Sequence, residues 1–545
     1  MRRYLRIGAL AFGSVLVGAL SLSAQAPSDA LRNMSEEVGG TARAQAMGGK
    51  IGALGADPTA ILTNPAGSAL YFKSTLTATF DVNGNYYFPY LGQRQEREAG
   101  SYWSGGVPNV SYISSALSSL QSNSSWNVNW GFQYNRDYDF TRNYAITFDR
   151  PNSTVADFIA DRANAAGRPY TDYLYVPDKY DPIMQSGVDP IVTMGMSGGI
   201  IEHNGTQFWP ASWTWDGAPD VSNRIPLLPT ASHLYVKETG AKHSFDFNVS
   251  AGYESRFFFG ASFRIGTSTY GRSSQYSEAF LYEPKNFAIN TTYDNNLSVS
   301  GRSFALNLGA MYALGDFGRI GVSYLLPQYA SYSELYHAEA GSVLDANTDK
   351  AEKMGYNTGD DLANSYSMWL PGKLTLSAMA YLGQWGMVTY DFTWRNLAAA
   401  SLRTGNGNSA MEGPNALMKD YFGNQFGHHF GLELRPISWL SVRAGGSYTS
   451  SGIRLQSSDV KLSEEYVASG TILDFVLPRD SYSASAGLGL RFGAFSADLA
   501  YVFSRQKNEV YPYPSAPALN PPLYTEGANM DIDRHNLVGT LTLTF

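Results

Sequence analysis

Residues able to do catalytic or metal chemistry are sparse in this sequence. It has seven histidines among 545 residues and no cysteine, which excludes disulfide frameworks, thiolate zinc sites and cysteine nucleophiles. The adjacent pair His428 and His429 would point to opposite faces of a strand and could not readily clamp one metal or one haem. Neither a G-x-S-x-G nucleophile elbow nor a P-loop stands out. The sequence therefore predicts a protein that is not an enzyme and that holds no cofactor and no metal.

Basic residues offer a different chemistry, because guanidinium and ammonium groups bind carboxylates through charge-assisted hydrogen bonds. Several basic residues lie in strand-like runs, on the side opposite to the apolar side. An anionic head group could lie against them, or they could instead pair with acidic neighbours and with Arg43, Lys50 and Asp57. The five candidates for head-group contacts are Arg264, Arg319, Lys373, Arg443 and Arg491.

The runs that carry these residues alternate with a period of two, which is typical of β-strands with two different faces. In RFFFGASFRI, 256–265, the face from Phe257 to Ile265 is apolar. The runs last 10 to 14 residues, whereas ordinary strands average about 5 or 6 and a strand tilted across a bilayer needs about 9 to 11. Fourteen runs occur, at 72–81, 106–116, 125–137, 243–254, 256–268, 301–314, 317–327, 373–383, 385–396, 427–436, 438–449, 481–492, 494–506 and 533–545.

The gaps between the runs alternate in length. Gly315-Asp316, Gln384, Ile437 and Gly493 mark connections of one or two residues, and the gaps between these connections are much longer. Short turns at one end and long loops at the other are typical of outer-membrane barrels. The sequence thus predicts an all-β fold, a 14-stranded antiparallel transmembrane β-barrel over residues 72–545 with long extracellular loops. A soluble β-sandwich or propeller is the alternative.

Composition agrees with a barrel. Charged residues make up 16% of the chain, against about 25% in soluble domains, and the mean hydropathy is -0.23. Closure is favoured because an open sheet edge in hydrocarbon leaves backbone groups unpaired, at several kcal/mol each. A pI near 5.5 without basic blocks argues against nucleic acid as a partner. The final strand, LVGTLTLTF, resembles the strand that the bacterial barrel assembly machinery recognises, with Phe545 at its end.

Residues 1–26 are typical of a secretory signal peptide. Arg2, Arg3 and Arg6 precede an apolar stretch from Ile7 to Leu20, and Ala24-Gln25-Ala26 offers small residues for cleavage. The apolar stretch is short for a membrane-spanning helix, although a signal anchor is the alternative. We therefore expect export and a location in the outer membrane of a Gram-negative bacterium.

Long gaps at 138–242, 328–372 and 507–531 predict large loops at the outer end of the barrel. Within the first of them, STVADFIADRANAA predicts a helix near 153–166. Long loops over a fixed scaffold often carry ligand contacts, but they could equally be variable surface without a ligand.

Residues 27–71 lack period-two alternation and are rich in small residues. A fourteen-stranded barrel has a lumen that its own side chains cannot fill, so this segment could fold back into the lumen as an N-terminal hatch. Its small residues would let the backbone pack closely against the wall, and Asn64-Pro65 would end a helical stretch with a rigid turn. A flexible tail is the alternative.

The stretch GTARAQAMGGKIGALGADPTAILTNPAGSALY resembles the N-terminal hatch of the FadL/TodX family of outer-membrane transporters for hydrophobic compounds. Its motif Asn64, Pro65, Ala66, Gly67 lies where that family has its Asn-Pro-Ala sequence, shortly before the first strand. The form Ala46-Met47-Gly48-Gly49 resembles versions from the Bacteroidetes, some of which are labelled haemin receptors. The long loops depart from the smaller members of the family.

The resemblance implies passive uptake of hydrophobic small molecules, such as long-chain fatty acids, by a monomer surrounded by outer-membrane lipid and lipopolysaccharide. Ligand would be captured at the loops, pass a hatch gated by the Asn-Pro-Ala-Gly motif, and leave sideways through a kink in the third strand, for which Gly131 is the candidate. Two alternatives stay open. One is a haem or haemin receptor that uses loop histidines such as His203, His233 or His337, and the other is a structural barrel that assists a secretion system.

Overall fold

The period-two runs of the sequence become the strands of a closed barrel. The computed structural model describes residues 26–36, 39–91, 94–95, 100–118, 124–185, 187–211, 214–215, 224–225, 227–283, 287–344, 352–359, 362–455, 470–515 and 524–545. The predicted signal peptide lies outside these residues, apart from Ala26. In the described residues the barrel has fourteen strands, β1 (Thr75–Leu91), β2 (Gly100–Leu117), β3 (Trp126–Asp139, then Arg142–Asp149), β4 (Ala231–Tyr253), β5 (Phe257–Tyr282), β6 (Phe287–Ala313), β7 (Gly318–Leu325, then Gln328–Leu344), β8 (Leu362–Leu370, then Lys373–Tyr381), β9 (Gly386–Asn396), β10 (Asn424–Ile437), β11 (Leu440–Thr449), β12 (Phe475–Phe492), β13 (Phe495–Tyr511) and β14 (Ala528–Thr544).

Every strand pairs antiparallel with its neighbours in sequence. The barrel closes between β1 and β14, where the pairing runs from Thr75 with Thr544 to Tyr90 with Asn529. Closure satisfies the backbone groups that an open edge would leave unpaired. The predicted fourteen-stranded transmembrane barrel is confirmed for the described chain, with both strand termini at the short-turn end.

An apolar belt surrounds the barrel next to the short turns. In β5 the outward side chains of Phe257, Phe259 and Phe263 are 43%, 52% and 46% exposed, while inward Ser262 is buried. Other exposed members of the belt include Phe247 on β4 and Leu541 on β14. This arrangement, apolar outside and polar inside, is the one that hydrocarbon requires.

The strands continue far beyond the belt, and there the two faces exchange character. β5 has 26 residues, about 86 Å at 3.3 Å per residue, against about 30 Å of hydrocarbon. Past Ile265 its outward residues are polar, such as Thr267 and Thr269, and its inward residues are aromatic, such as Tyr276 and Phe280. Residues 328–372, predicted as a loop, are therefore largely the outer parts of β7 and β8.

A helical lobe, here called the cap (residues 150–185 and 187–211), packs inside the end of the barrel that lies opposite the short turns. Its helices α4 (Val155–Ala166) and α5 (Pro190–Ser197) pack on inward side chains of β3 to β7, β13 and β14, including Ile146, Val236 and Tyr293. The helix predicted near 153–166 is confirmed as α4. The smaller elements of the cap are 3-10 turns at Tyr170–Tyr173 and Pro182–Met184 and a hairpin of Ile201–His203 with Phe208–Pro210.

The N-terminal segment lies inside the bore. This segment, here called the plug (residues 26–36 and 39–72), contains α1 (Pro27–Met34), α2 (Ala42–Ala46), α3 (Ala60–Thr63) and a 3-10 helix, Pro65–Leu70. Its residues Ala44, Met47 and Ile51 are completely buried, as are Ile61 and Ala66.

Several minor elements complete the described chain. They are α6 (Glu412–Tyr421), a 3-10 turn at Leu397–Ala399, and short strands at Arg94–Gln95, Thr214–Trp215, Arg224–Ile225, Glu352–Asn357 and Ser401–Thr404. Among the described helices, none has both the length and the apolar character needed to cross a membrane.

Candidate functional site

The Asn-Pro-Ala-Gly motif forms a fixed turn against the barrel wall. Asn64 Oδ1 accepts a hydrogen bond from Ala66 N at 3.2 Å, which caps the 3-10 helix that Pro65 begins. Asn64 Nδ2 donates to the carbonyl oxygen of Ala310 on β6 at 3.3 Å. Both Asn64 and Ala66 are completely buried, so the motif joins the plug to the wall through directed contacts.

Three glycines of the wall make room for this turn. A Cβ atom at Gly260 on β5 would lie 2.6 Å from Ala66 N and closer still to the carbonyl group of Pro65. A Cβ at Gly309 on β6 would lie 2.8 Å from Pro65 Cδ, and one at Gly321 on β7 would lie 2.8 Å from Asn64 Nδ2. Glycine within a strand often marks a close approach by another backbone. In the sequence analysis these wall glycines were not identified as contacts of the plug. The signal that could have found them is the occurrence of glycine within a predicted strand.

A second group of wall glycines lies against another side of the plug. Cβ atoms at Gly431 on β10 and Gly487 on β12 would lie 2.8 Å from Met47 Cβ and 2.6 Å from Ala46 Cβ. Gly48 itself has a φ of 80°, a left-handed conformation that glycine adopts without strain. The plug therefore lies in close contact with two separate parts of the wall.

Hydroxyl and amide groups add polar contacts near the motif. Ser68 Oγ lies 2.8 Å from the Pro65 carbonyl oxygen and 2.9 Å from Ser250 Oγ on β4. Asn129 Nδ2 on β3 donates to the Ser68 carbonyl oxygen at 2.7 Å and to that of Tyr71 at 2.9 Å. A network of this kind gives the plug one preferred position.

A buried carboxylate joins the plug to β10 and β11. The Glu433 side chain is 0% exposed and pairs with Arg43 of the plug at 2.8 Å and with Arg443 at 2.7 Å. Arg435 pairs with it at 2.6 Å, and Arg443 also reaches Asp498 at 2.6 Å. Removing the acid would leave buried guanidinium groups without their partner, which is far costlier than losing a surface pair.

A second ionic group holds the end of α1. Glu36 pairs with Lys373 Nζ at 2.5 Å and with Arg395. Lys242 Nζ donates to the carbonyl oxygens of Asn33 at 2.7 Å and Ser35 at 3.0 Å, where the end of a helix favours a cation. Charged groups of the wall thus hold the plug at the end of α1 and at Arg43.

A cavity of about 380 Å³ lies inside the barrel, between α1 of the plug and the surrounding strands. One side of it is aromatic, with Phe140 packed edge-on against both Tyr138 and Tyr270 at ring-centroid distances of 5.0 Å. Leu31 and Met34 of α1 extend this side. The volume and the apolar surface suit the body of a small organic molecule.

The other side of the cavity is polar. Serine, asparagine and glutamine side chains of β11 to β14 and β1 line it, among them Ser447, Ser483, Ser504, Gln506, Asn508, Asn83 and Asn85. Arginines of this side pair with acids, as in Arg479 with Glu509 at 2.9 Å and Arg505 with Asp533 at 2.5 Å. The cavity therefore has one face for an apolar group and one face for a polar group.

The predicted head-group residues separate into different places. Lys373 lines the main cavity, and both Lys373 and Arg264 line a smaller cavity of about 90 Å³ beside the plug. Arg264 pairs with Asp246 at 2.8 Å, and Arg319 donates to the Leu54 carbonyl oxygen at 2.8 Å. Arg443 belongs to the Glu433 group, while Arg491 is exposed at the short-turn end of β12. The structure thus brings Lys373 and Arg264 together and leaves the other three apart from them.

Gly131 lies in a continuous part of β3. It pairs with Ile113 on β2 and with Asn248 on β4 without a change of register. The irregularity in the pairing of β3 with β4 lies further along, between Lys242 and His243. A wall opening at Gly131 stays a prediction.

The histidines considered for haem lie apart from the cavity. His203 stacks on Tyr170 in the cap, and the outward His233 bonds Thr147 at 3.0 Å. His337 lies 3.3 Å from Thr358 Oγ1. In the described residues, no group of three His, Cys, Asp or Glu side chains could hold a metal ion.

Two buried carboxyl groups hold the cap, outside the membrane-spanning part of the strands. Glu278 Oε1, far beyond the belt on β5, accepts a hydrogen bond from Val155 N at the start of α4 at 2.9 Å, and Asp157 Oδ2 accepts one from Thr154 N at 2.9 Å. Burial raises the pKa of Glu278 to about 8 and the pKa of Asp157 to about 6. The docked cap therefore favours protonated carboxyl groups.

Comparison with known proteins supports the fold. No protein-family model matches the chain, and no curated protein matches it. The solved structure of a Pseudomonas aeruginosa FadL homologue is similar with a TM-score of 0.51 and 12% identity, over 94% of this chain and 99% of that one. The toluene transporter TodX of Pseudomonas putida gives a TM-score of 0.48 and 12% identity, over 94% and 100% of the two chains.

At this identity the similarity establishes the fold. The chain has the fold of the FadL homologue over nearly its whole length, which confirms the resemblance inferred from the plug motif at the level of architecture. The similarity of Ala46-Met47-Gly48-Gly49 to sequences of the Bacteroidetes stays a prediction.

Proposed function

We propose that this protein is an outer-membrane channel of a Gram-negative bacterium through which hydrophobic small molecules enter passively. The observation that carries the proposal is the cavity with an aromatic side, which α1 of the plug and the strands line within a transmembrane barrel. The FadL-type fold and the hatch-like motif at 64–67 support it. Residues 1–26 would be removed on export, and the mature chain would work as a monomer.

The cargo that best fits the cavity is amphipathic. Tyr138, Phe140 and Tyr270 would receive its apolar body, and Lys373 would be the nearest of the predicted head-group contacts. Long-chain fatty acids meet this description. The channel needs no energy source in this scheme, since the cargo moves down its concentration gradient.

Passage of the cargo through the bore would require the plug to move away from its contacts with the wall. Residues 27–71 would act as a hatch, and the Asn64–Gly67 turn would be its contact with the wall. Sideways release near Gly131 is part of the proposal, and it would spare an apolar cargo from crossing water.

Uptake by proteoliposomes tests the proposal. Radiolabelled oleate and toluene would be offered to vesicles that contain the purified full-length mature protein, and their initial rates compared with protein-free vesicles. We expect saturable, protein-dependent uptake of at least one probe. Rates equal to those of protein-free vesicles for both probes would refute a channel for hydrophobic compounds.

A variant of the aromatic side gives the matched control. Phe140→Ala should weaken uptake because it removes the ring between Tyr138 and Tyr270. Phe317→Ala, which removes an outward ring that is 82% exposed at a short turn, should leave uptake unchanged. Binding of haem, read as a Soret band on addition of haemin, would favour the alternative receptor function.

A further inference from the structure

Three of the seven histidines of the chain each contact a tyrosine of a neighbouring strand. In every case the phenol oxygen lies within hydrogen-bonding distance of the imidazole Nδ1 atom. These contacts, here called the Tyr–His pairs, are Tyr134 on β3 with His243 on β4 at 2.9 Å, Tyr390 on β9 with His428 on β10 at 2.9 Å, and Tyr501 on β13 with His535 on β14 at 2.6 Å.

The side chains of the Tyr–His pairs lie on the outer face of the wall. His243 lies between Lys242 and Ser244, and both of these neighbours bond groups inside the barrel. His428 lies next to His429, which is buried and whose Nδ1 atom contacts the plug. The tyrosines of the β9–β10 and β13–β14 pairs are 36% and 46% exposed. The pairs therefore belong to the surface that faces the membrane.

All three pairs lie at about the same height on the barrel. The histidines lie ten, nine and nine residues before the short-turn ends of β4, β10 and β14. Nine or ten residues of a strand tilted by about 40° rise about 25 Å, which is the height of the apolar band of an outer-membrane barrel. Towards the short turns the next outward residues are the apolar Phe245, Phe430 and Leu537, whereas beyond the pair on β4 they include the polar Thr239 and Lys237. The pairs thus lie where hydrocarbon meets the outer head groups.

Each pair keeps one hydrogen-bond donor for its surroundings. If the phenol donates to Nδ1, the neutral imidazole carries its proton on Nε2, and if Nδ1 donates, the phenol proton is free to bond elsewhere. Among the described residues, Nε2 of these three histidines has no hydrogen-bond partner. A donor without an acceptor is costly in hydrocarbon, so each pair requires an acceptor from the head-group layer.

Phosphate oxygens are the acceptors that suit these donors best. They carry negative charge and accept charge-assisted hydrogen bonds, and an imidazole can take up a proton and become their counter-ion. Neighbouring rings hold the imidazoles in place, since His535 lies 5.5 Å from Tyr86 and 5.3 Å from Phe503, and His428 lies 5.4 Å from Phe392. A donor that is already fixed loses little freedom on binding.

We propose that the Tyr–His pairs bind phosphate groups of lipids in the outer leaflet, one lipid at each pair. The pair donates a hydrogen bond from the imidazole or the phenol to a phosphate oxygen, and the apolar belt next to it receives the acyl chains. This binding fixes the height of the barrel in the membrane. The proposal rests on the proposed location in the outer membrane and not on the nature of the cargo.

Native mass spectrometry of the full-length mature protein tests the proposal by counting bound lipids. The probe is lipid A with two phosphate groups, titrated in mild detergent, and its dephosphorylated form is the comparison. We expect up to three bound lipid A molecules. Tyr501→Phe with His535→Phe keeps both rings but removes the donors, so it should remove one of the three and lower the affinity of that site about tenfold, as expected for a hydrogen bond to a charged group.

A histidine outside the apolar band gives the matched control. The outward His233 on β4 lies twenty residues before the short-turn end of that strand and bonds Thr147 at 3.0 Å. Thr147→Val with His233→Phe should therefore leave lipid A binding unchanged. If the variant at residues 501 and 535 does not fold, Tyr134→Phe with His243→Phe makes the same test at another pair.

Two results would overturn the proposal. One is the same number of bound lipid A molecules, at the same affinity, in the paired variant and the unchanged protein. The other is equal binding of lipid A with and without its phosphate groups, which would show that the belt alone holds the lipid. Uptake of oleate and toluene does not enter this measurement, so a failure of the proposed function would leave its result intact.

Discussion

Replacing Gly260 with alanine should displace the plug from its contact with the wall while leaving the barrel folded. The added Cβ would lie 2.6 Å from Ala66 N, whereas ordinary contacts are 3.4 to 4 Å, so the motif must move by about 1 Å. Because the neighbouring atoms are backbone, no side-chain rotation relieves the overlap. Overpacking of this kind costs about 1–3 kcal/mol, which corresponds to a factor of about 5 to 150 in the equilibrium between seated and displaced plug.

Hydrogen exchange measures this equilibrium directly. Peptides that cover residues 60–71 should exchange faster in Gly260→Ala by a factor in that range, while peptides of β13 and β14 should not change. Gly539→Ala on β14 is the control, because a Cβ there meets nothing within 4 Å. If the exchange rate over 60–71 is unchanged in Gly260→Ala, or rises equally in both variants, the wall glycines do not hold the plug in its position.

Two further predictions concern the charged groups. Glu433→Gln should destabilise the folded barrel by about 3–5 kcal/mol, because Arg43 and Arg443 lose a buried partner; the midpoint of its heat-induced gel shift should fall, and an unchanged midpoint would contradict this. Since the pKa values of Glu278 and Asp157 are raised in the docked cap, the free energy of docking should weaken as pH rises from about 4 to 8. The rate at which a protease cleaves the cap should rise over that pH range, and the rise should be smaller in Glu278→Gln. A cleavage rate that does not depend on pH would show that these groups do not hold the cap.

Much of the barrel could be predicted from alternation alone. The run 256–265 identifies β5 because apolar side chains must face lipid and polar ones the lumen. Past Ile265 the same strand has polar Thr267 outside and aromatic Tyr276 inside, since the surroundings there are water and an apolar core. This reversal, spread over longer and tyrosine-rich stretches, is why the outer parts of β7 and β8 were predicted as loops.

The site could be predicted only in part. The 64–67 motif is a local pattern and could be recognised in the sequence. The pairing of Arg443 with Glu433 and Asp498 joins β10, β11 and β13, so it depends on strand register that a single sequence does not reveal. For the same reason the sequence could not show that Lys373 lines the cavity whereas Arg443 lies between Glu433 and Asp498.

A reversible tether between plug and wall tests the central claim most directly, namely that cargo passes only when the plug moves. Ser68 Oγ and Ser250 Oγ lie 2.9 Å apart, so Ser68→Cys with Ser250→Cys should form a disulfide that fixes the plug to β4. Thr77→Cys with Thr542→Cys, a pair joining β1 and β14 across 3.1 Å, is the control tether within the wall. We predict that oxidation abolishes oleate uptake by the plug-tethered protein and that a reductant restores it. Oleate uptake by the wall-tethered protein should be the same under oxidising and reducing conditions. Equal uptake by the oxidised and reduced plug-tethered protein would contradict the account.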